Sequence, residues 1–188
     1  LMALSACVPV TREGAARVEA GAAATAEAQT AGHGEAHGEA HWGYTGAGAP
    51  EFWGELNPDY TLCATGKSQS PIDITEVNQV DLTDIAFHYA PAPLTIVNNG
   101  HTIQVVYPAG SYIELGGERY NLQQFHLHAP SEHEIDGELA ALELHLVHKN
   151  DAGQLTVVAV LFQEGAENAA LAPVWAHLPA AAGPEQSF

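Results

Sequence analysis

Residues 124–137 read QFHLHAPSEHEIDG, three histidines and three acids in fourteen positions, and 143-ELHLVH-148 follows shortly after. Both stretches otherwise have the composition of buried strand. In an extended chain residues two apart share a face, so His126 and His128 project together. Sixteen residues separate His128 from His145, room for a turn and an antiparallel return that would set His145 opposite the first two. Three imidazoles converging from a rigid sheet are the ligand set of a catalytic zinc site, which keeps its fourth tetrahedral position for water. Structural zinc sites favour four protein ligands, often Cys, and the chain has 2 cysteines. Gln124 and Glu143 each stand two residues before a histidine of the set, on the same face. An amide or carboxylate there fixes the tautomer and orientation of a metal-bound imidazole. Any one of these histidines alone reads best as a hydrogen-bonded core residue; three together, two with matched polar neighbours, do not. The fragment 126-HLHAPSE-132 also fits the start of a cupin metal motif, but Gly117 is too far upstream and Gly137 too near for that motif's glycine spacing.

Outward from this centre lie further strand-like runs: 94-LTIVN-98, 102-TIQVVY-107, 112-YIEL-115, 119-RYNLQQFHLH-128, 140-AALELHLVHK-149 and 155-LTVVAVLFQ-163. Turn signals such as 98-NNG-100, 116-GG-117 and 150-NDAG-153 separate them. Most gaps are too short for a crossover helix, which predicts a largely antiparallel, twisted central sheet. The fold class is therefore mainly β with a few short helices (α+β). Residues 166–178 have helical composition that Pro173 is expected to divide.

Composition excludes some partners. With 23 Asp+Glu against 5 Lys+Arg the formal charge is −18, so nucleic acid and anionic membrane surfaces would be repelled. Residues 8–40 are Ala, Glu, Gly and Thr with almost no large apolar side chains, and are expected to form a disordered tether. Within it 33-HGEAHGEAH-41 spaces His every four residues, a weak metal-holding pattern or simply a hydrophilic linker. Residues 1–7 end in 4-LSAC-7 and look like the remnant of a lipoprotein signal peptide. Cys7 would then be lipidated and the protein periplasmic or held at the cell envelope. Cys63 is left either as a free thiol or with a partner outside the sequence. Residues 41–188 form the expected catalytic domain.

The motifs 42-WGYTG-46, 50-PEFW-53, 66-GKSQSPIDI-74, 98-NNGHTIQV-105, 120-YNLQQFHLHAPSEH-133 and 141-ALELHLVH-148 resemble the α-class carbonic anhydrases, in family order from Trp42 to about Phe162. The resemblance implies a Zn2+ held by His126, His128 and His145, with Gln124 and Glu143 as outer partners. It implies reversible hydration of carbon dioxide to bicarbonate by zinc-bound hydroxide, with His101 as proton shuttle and Tyr44, Asn99 and Gln104 ordering water toward it. Glu132 matches the acid that orients a hydroxyl gate, His133 and His148 match structural histidines, and Val147 and Val157 match the apolar wall that meets the substrate. Ser70–Pro71 is expected in cis, as in relatives. The resemblance also implies a C-terminal third that would carry the gate threonine, more of the pocket, further sheet and a cysteine for Cys63. The chain is thus expected to be a fragment with an incomplete sheet, poorly active or unstable beside the full-length protein. Two other functions compete: a catalytically silent carbonic-anhydrase-like binding domain, and a periplasmic zinc-buffering lipoprotein using residues 33–41.

Overall fold

The structure, a computed structural model, describes residues 42–188. The expectations for the signal remnant, the tether, His33 to His41 and lipidation at Cys7 lie outside the described residues. The chain divides into two units, Leu1–Pro71 and Ile72–Phe188.

In the first unit, three 3-10 turns (Gly46–Gly48, Pro50–Phe52, Pro58–Tyr60) alternate with two short helices, α1 (Trp53–Leu56) and α2 (Thr61–Thr65). Pro50 and Pro58 open their turns, where a fixed φ helps and a missing N–H costs nothing. Trp53 is buried, its indole N–H reaching the carbonyls of Gly43 and Gly48 at 3.0 and 2.8 Å. The rings of Trp42 and Tyr44 pack edge-on against it, a geometry aromatic quadrupoles favour. Ser70–Pro71 is cis, as expected.

The second unit contains strands β1 (Asp73–Ile74), β2 (Ala86–His88), β3 (Thr95–Asn98), β4 (Ile103–Val106), β5 (Tyr112–Leu115), β6 (Glu118–His128), β7 (Glu134–Ile135), β8 (Glu138–Leu139), β9 (Leu142–Lys149), β10 (Leu155–Phe162) and β11 (Gln186–Ser187), with helix α3 (Ala172–Ala176). The large sheet runs β10-β9-β6-β4-β3-β11, and β5 joins β2 to β6. Every pairing in it is antiparallel. Short connections dictate this: β5 and β6 are joined by Gly116–Gly117, both at positive φ, the pair a tight hairpin turn needs. Pro173 does not divide a longer helix. It lies in the first turn of α3, and the residues before it form no helix, because a proline fits the start of a helix and not its interior. The dipeptide Asp136-Gly137 closes the β7–β8 hairpin with φ of 52° and 79°.

Cross-strand partners face the same side, so the register separates the sheet's two faces. Val105 pairs Phe125, Ile96 pairs Val105, and Leu127 pairs Leu144. Ile96, Val105 and Val174 of α3 form the core here, with Phe125 and Leu127 packed on it. The alternate residues face the other way: Gln104 pairs His126, and His126 pairs His145. Tyr120 and Leu122 are buried too, in the same odd–even phase as the histidines. The register between β6 and β9 slips between Leu122 and Gln124. Gln123 is therefore the extra residue of a β-bulge. It turns Leu122 to the side of His148 and Gln124, His126 and His128 to the opposite side.

Candidate metal centre

The histidine set is a consequence of strand period and register. His126 and His128 are two apart on β6, and the register sets His145 of β9 directly across from His126. Their ring centroids lie 4.8 to 5.2 Å apart, and one ligand-capable nitrogen from each falls within 4.8 Å of the others. His126 and His145 are both 2% exposed.

Outer partners fix the rings. His126 Nδ1 lies 2.9 Å from Gln124 Oε1. An amide oxygen can only accept, so Nδ1 carries the proton and Nε2 is left with its lone pair. His145 Nε2 lies 2.9 Å from Glu143 Oε1, close enough for an ion pair but outside hydrogen-bond alignment. Its other nitrogen, Nδ1, is buried without a hydrogen-bond partner. A buried imidazole nitrogen left bare costs stability unless something occupies the space in front of it. An electron-pair acceptor between the three rings would fill that role. The residues fit a metal ion: three imidazole nitrogen donors, two of them from the same strand, with polar neighbours in place.

Charge follows the same logic. His126 is pushed down to about 3, first by burial, then by the positive charge its neighbours His128 and His145 would carry, with Glu143 opposing. Burial likewise lowers His128. Metal ligation needs unprotonated imidazole, which these environments favour. Glu143 is fully buried. Burial alone would raise its carboxyl, but hydrogen bonds from the His133 side chain, the approach of His145 and the His133 backbone hold it well below the usual carboxylate range. Its Oε2 accepts the N–H groups of Glu132 and His133 at 2.7 and 2.9 Å, and its Oε1 meets His133 Nδ1. His133, Glu143 and His145 also meet the geometric requirement for holding a cation. Both Glu143 oxygens already take protein donors, so this carboxylate serves to orient.

These shifts have one sign. His126, His128 and His148 each have a lowered folded-state pKa. Below their unfolded value of about 6.5 the unfolded chain binds protons that the folded chain refuses, so stability falls as pH drops through that value. Glu143 adds stability above about 4.5 that is lost below it. The metal-free protein is therefore expected to melt several degrees lower at about pH 5 than at about pH 7.5. Thermal melts in chelator across that range check this; a flat or rising profile toward acid would contradict it.

Glu132 directs Oε2 toward the ligand nitrogens, 3.2 Å from His128 Nε2 and 3.7 Å from His145 Nδ1. Val147 and Val157 pair across β9 and β10 on the face of His145, as an apolar wall beside the metal would require. Gln104 shares that face, directly opposite His126. His101 is exposed in the turn between β3 and β4, and Asn99 Oδ1 accepts its N–H at 2.9 Å. Tyr44 belongs to the first unit, against Trp42 and Trp53. Cys63 lies on α2 and is not a free thiol, which removes that alternative. His148 is fully buried and its Nε2 meets the Tyr89 hydroxyl at 2.7 Å with the rings stacked. Nothing local in the sequence marks Tyr89, which stands 59 positions before His148. Glu143 was assigned to His145 alone; that it also holds His133 had one local clue, a histidine beside Glu132 with no assigned ligand role.

Residues 48–188 match the family model described as eukaryotic-type carbonic anhydrase. The chain belongs to that family. It is 49% identical over 140 residues to a carbonic anhydrase of Pectobacterium atrosepticum, an alignment covering 74% of this chain and 57% of the relative. It is 45% identical over 144 residues to one from Neisseria gonorrhoeae, covering 76% and 57%. The α-carbonic anhydrase of Thermovibrio ammonificans, solved with the inhibitor sulfanilamide, superposes with a TM-score of 0.75 at 43% identity, covering 79% of this chain and 67% of that one. The chain thus spans about 57% of the length of these curated relatives. The mainly β, largely antiparallel architecture expected from the sequence is that of the α-carbonic anhydrases.

Proposed function

We propose that the protein hydrates carbon dioxide reversibly to bicarbonate and a proton, using a zinc ion held by His126, His128 and His145. The observation that carries this is the register pairing His126 with His145 beside His128, with a buried, unpartnered Nδ1 on His145. A zinc ion held there would lower the pKa of water to about 7, an established value for carbonic anhydrases themselves, and would so supply a nucleophile at neutral pH.

The chain's own residues do the rest. Gln124 holds one imidazole in the tautomer and orientation that ligation needs, and the Glu143 carboxylate stands 2.9 Å from a second. Val147 and Val157 present apolar surface beside His145, suited to an uncharged, linear substrate that needs no hydrogen bonds. His101, exposed in its turn, takes the released proton to solvent. Gln104 opposite His126 and Asn99, whose Oδ1 accepts the His101 N–H, support a role for both in ordering water toward His101. Glu132 offers a carboxylate at the rim of the ligand set, positioned to accept from a hydroxyl donor. A cell-envelope location with a lipid on Cys7 belongs to the same proposal and rests on the sequence alone. Among the described residues no helix is long and apolar enough to cross a membrane.

Purified full-length protein is expected to contain zinc near one equivalent and to hydrate carbon dioxide. Dipicolinate should remove both and added zinc restore both. Zinc present without hydration would favour the silent binding domain. Zinc that survives loss of all three sheet histidines but not deletion of residues 33–41 would favour the buffering lipoprotein.

A further inference from the structure

The ladder between β4 and β6 runs from Val106 opposite Gln124 to Gln104 opposite His126 and then stops. Two residues on, the N–H of Thr102, which the alternation of β4 directs to the β3 side, donates to Asn99 Oδ1 at 2.9 Å. The same oxygen accepts the N–H of His101 at 2.9 Å, and Asn98 Oδ1 accepts that of Gly100 at 3.0 Å. Two asparagine side chains thus build the turn that carries His101, as Asn does in Asx turns. Leu127, the next residue of β6, has no paired neighbour on β4. Its carbonyl instead accepts the hydroxyl of Thr102 at 2.6 Å, far shorter than the 3.4 Å from that hydroxyl to Ile103 O.

Leu127 is the residue between His126 and His128, and its side chain packs on the Ile96–Val105–Val174 core. The hydroxyl therefore links the His101 turn to a rigid point of the ligand strand, with one residue on either side bearing a ligand imidazole. We propose that Thr102 is a positioning residue: its hydroxyl clamps the His101 turn to β6 and so sets the span over which His101 exchanges protons with the metal face. The proposal rests on the hydratase reading for its kinetic consequence and on hydrogen bonding alone for its structural one.

The test compares Thr102→Val, nearly isosteric but without the hydroxyl, with Thr102→Ser, which keeps it, in the full-length protein; Thr102→Ala replaces the valine variant if that fails to fold. Thr102→Val should keep its zinc. Amide exchange at His101 and Thr102 should quicken about five- to tenfold, as expected when one anchoring hydrogen bond of a turn is lost. In weak buffer kcat should fall by about three- to tenfold, below the ~100-fold that gross misplacement can cause. kcat/KM should stay within about twofold, because it does not report proton export, and imidazole added to solution should restore kcat. Thr102→Ser should match the parent in all four readouts. Unchanged exchange and unchanged kcat in Thr102→Val would overturn the proposal. So would kcat and kcat/KM falling together with lost zinc, which would make Thr102 a support of the ligand strand only. A parent protein without hydratase activity would overturn the hydratase reading, and the exchange rates would then still judge the clamp.

Discussion

His145→Ala is expected to abolish stoichiometric zinc binding and, with it, carbon dioxide hydration. The imidazole comes from β9 while the other two come from β6, so its loss leaves two donors on one strand, an open chelate that water and buffer compete for readily. Loss of an outer partner alone typically costs 10–100-fold in metal affinity, and loss of a direct ligand should exceed about 100-fold. The folded protein should survive: removing this ring also removes a buried nitrogen that has no hydrogen-bond partner, so the ring-sized void is offset in part. Metal analysis after dialysis, alongside circular dichroism, checks both halves. Retention of one zinc per chain with native-like activity would mean that the metal sits elsewhere.

Glu143→Ala should be the most damaging single change outside the ligands, and it should act on stability first. The carboxylate is fully buried and accepts two backbone N–H groups and the His133 side chain while facing His145. Truncation leaves those donors buried without an acceptor, a mechanism that costs about 3–5 kcal/mol when a buried charged network is broken. The segment 131–133 should loosen, and zinc affinity should fall about 10–100-fold as His145 loses its orienting neighbour. Glu143→Gln keeps the shape and one accepting oxygen, and should recover part of the stability and less of the affinity. Denaturant unfolding of the metal-free proteins measures the first effect and competition with a chelating dye the second. A Glu143→Ala protein as stable as the parent would show that these hydrogen bonds contribute nothing net.

Much of this was legible in one dimension, for identifiable reasons. The six long strands appear in the structure within about two residues of their apolar runs, because alternating burial and turn chemistry are local properties. The triad followed from period two on 124-QFHLHA-129 and a return of the right length to His145. The short strands were not legible: β1, β7 and β8 have two residues each, too few for any period. Nor was Ala129–Pro130, a second cis peptide whose isomer depends on its surroundings. The part played by Thr102 could not be read either, since a threonine at a strand start looks like any other until its hydroxyl is seen to reach the Leu127 carbonyl.

The sequence by itself determined which residues could bind metal, which neighbours would orient them and what kind of sheet would carry them, because side-chain chemistry and strand period are written residue by residue. Only the tertiary structure decided which face they share. An uninterrupted alternation from Tyr120 to His128 would put Tyr120, Leu122 and the histidines on one side of β6. The bulge at Gln123 breaks that phase, sending Leu122 toward His148 and His126 toward His145. A bulge exists only relative to a partner strand, so its position depends on how β9 docks, and no local pattern in β6 records that.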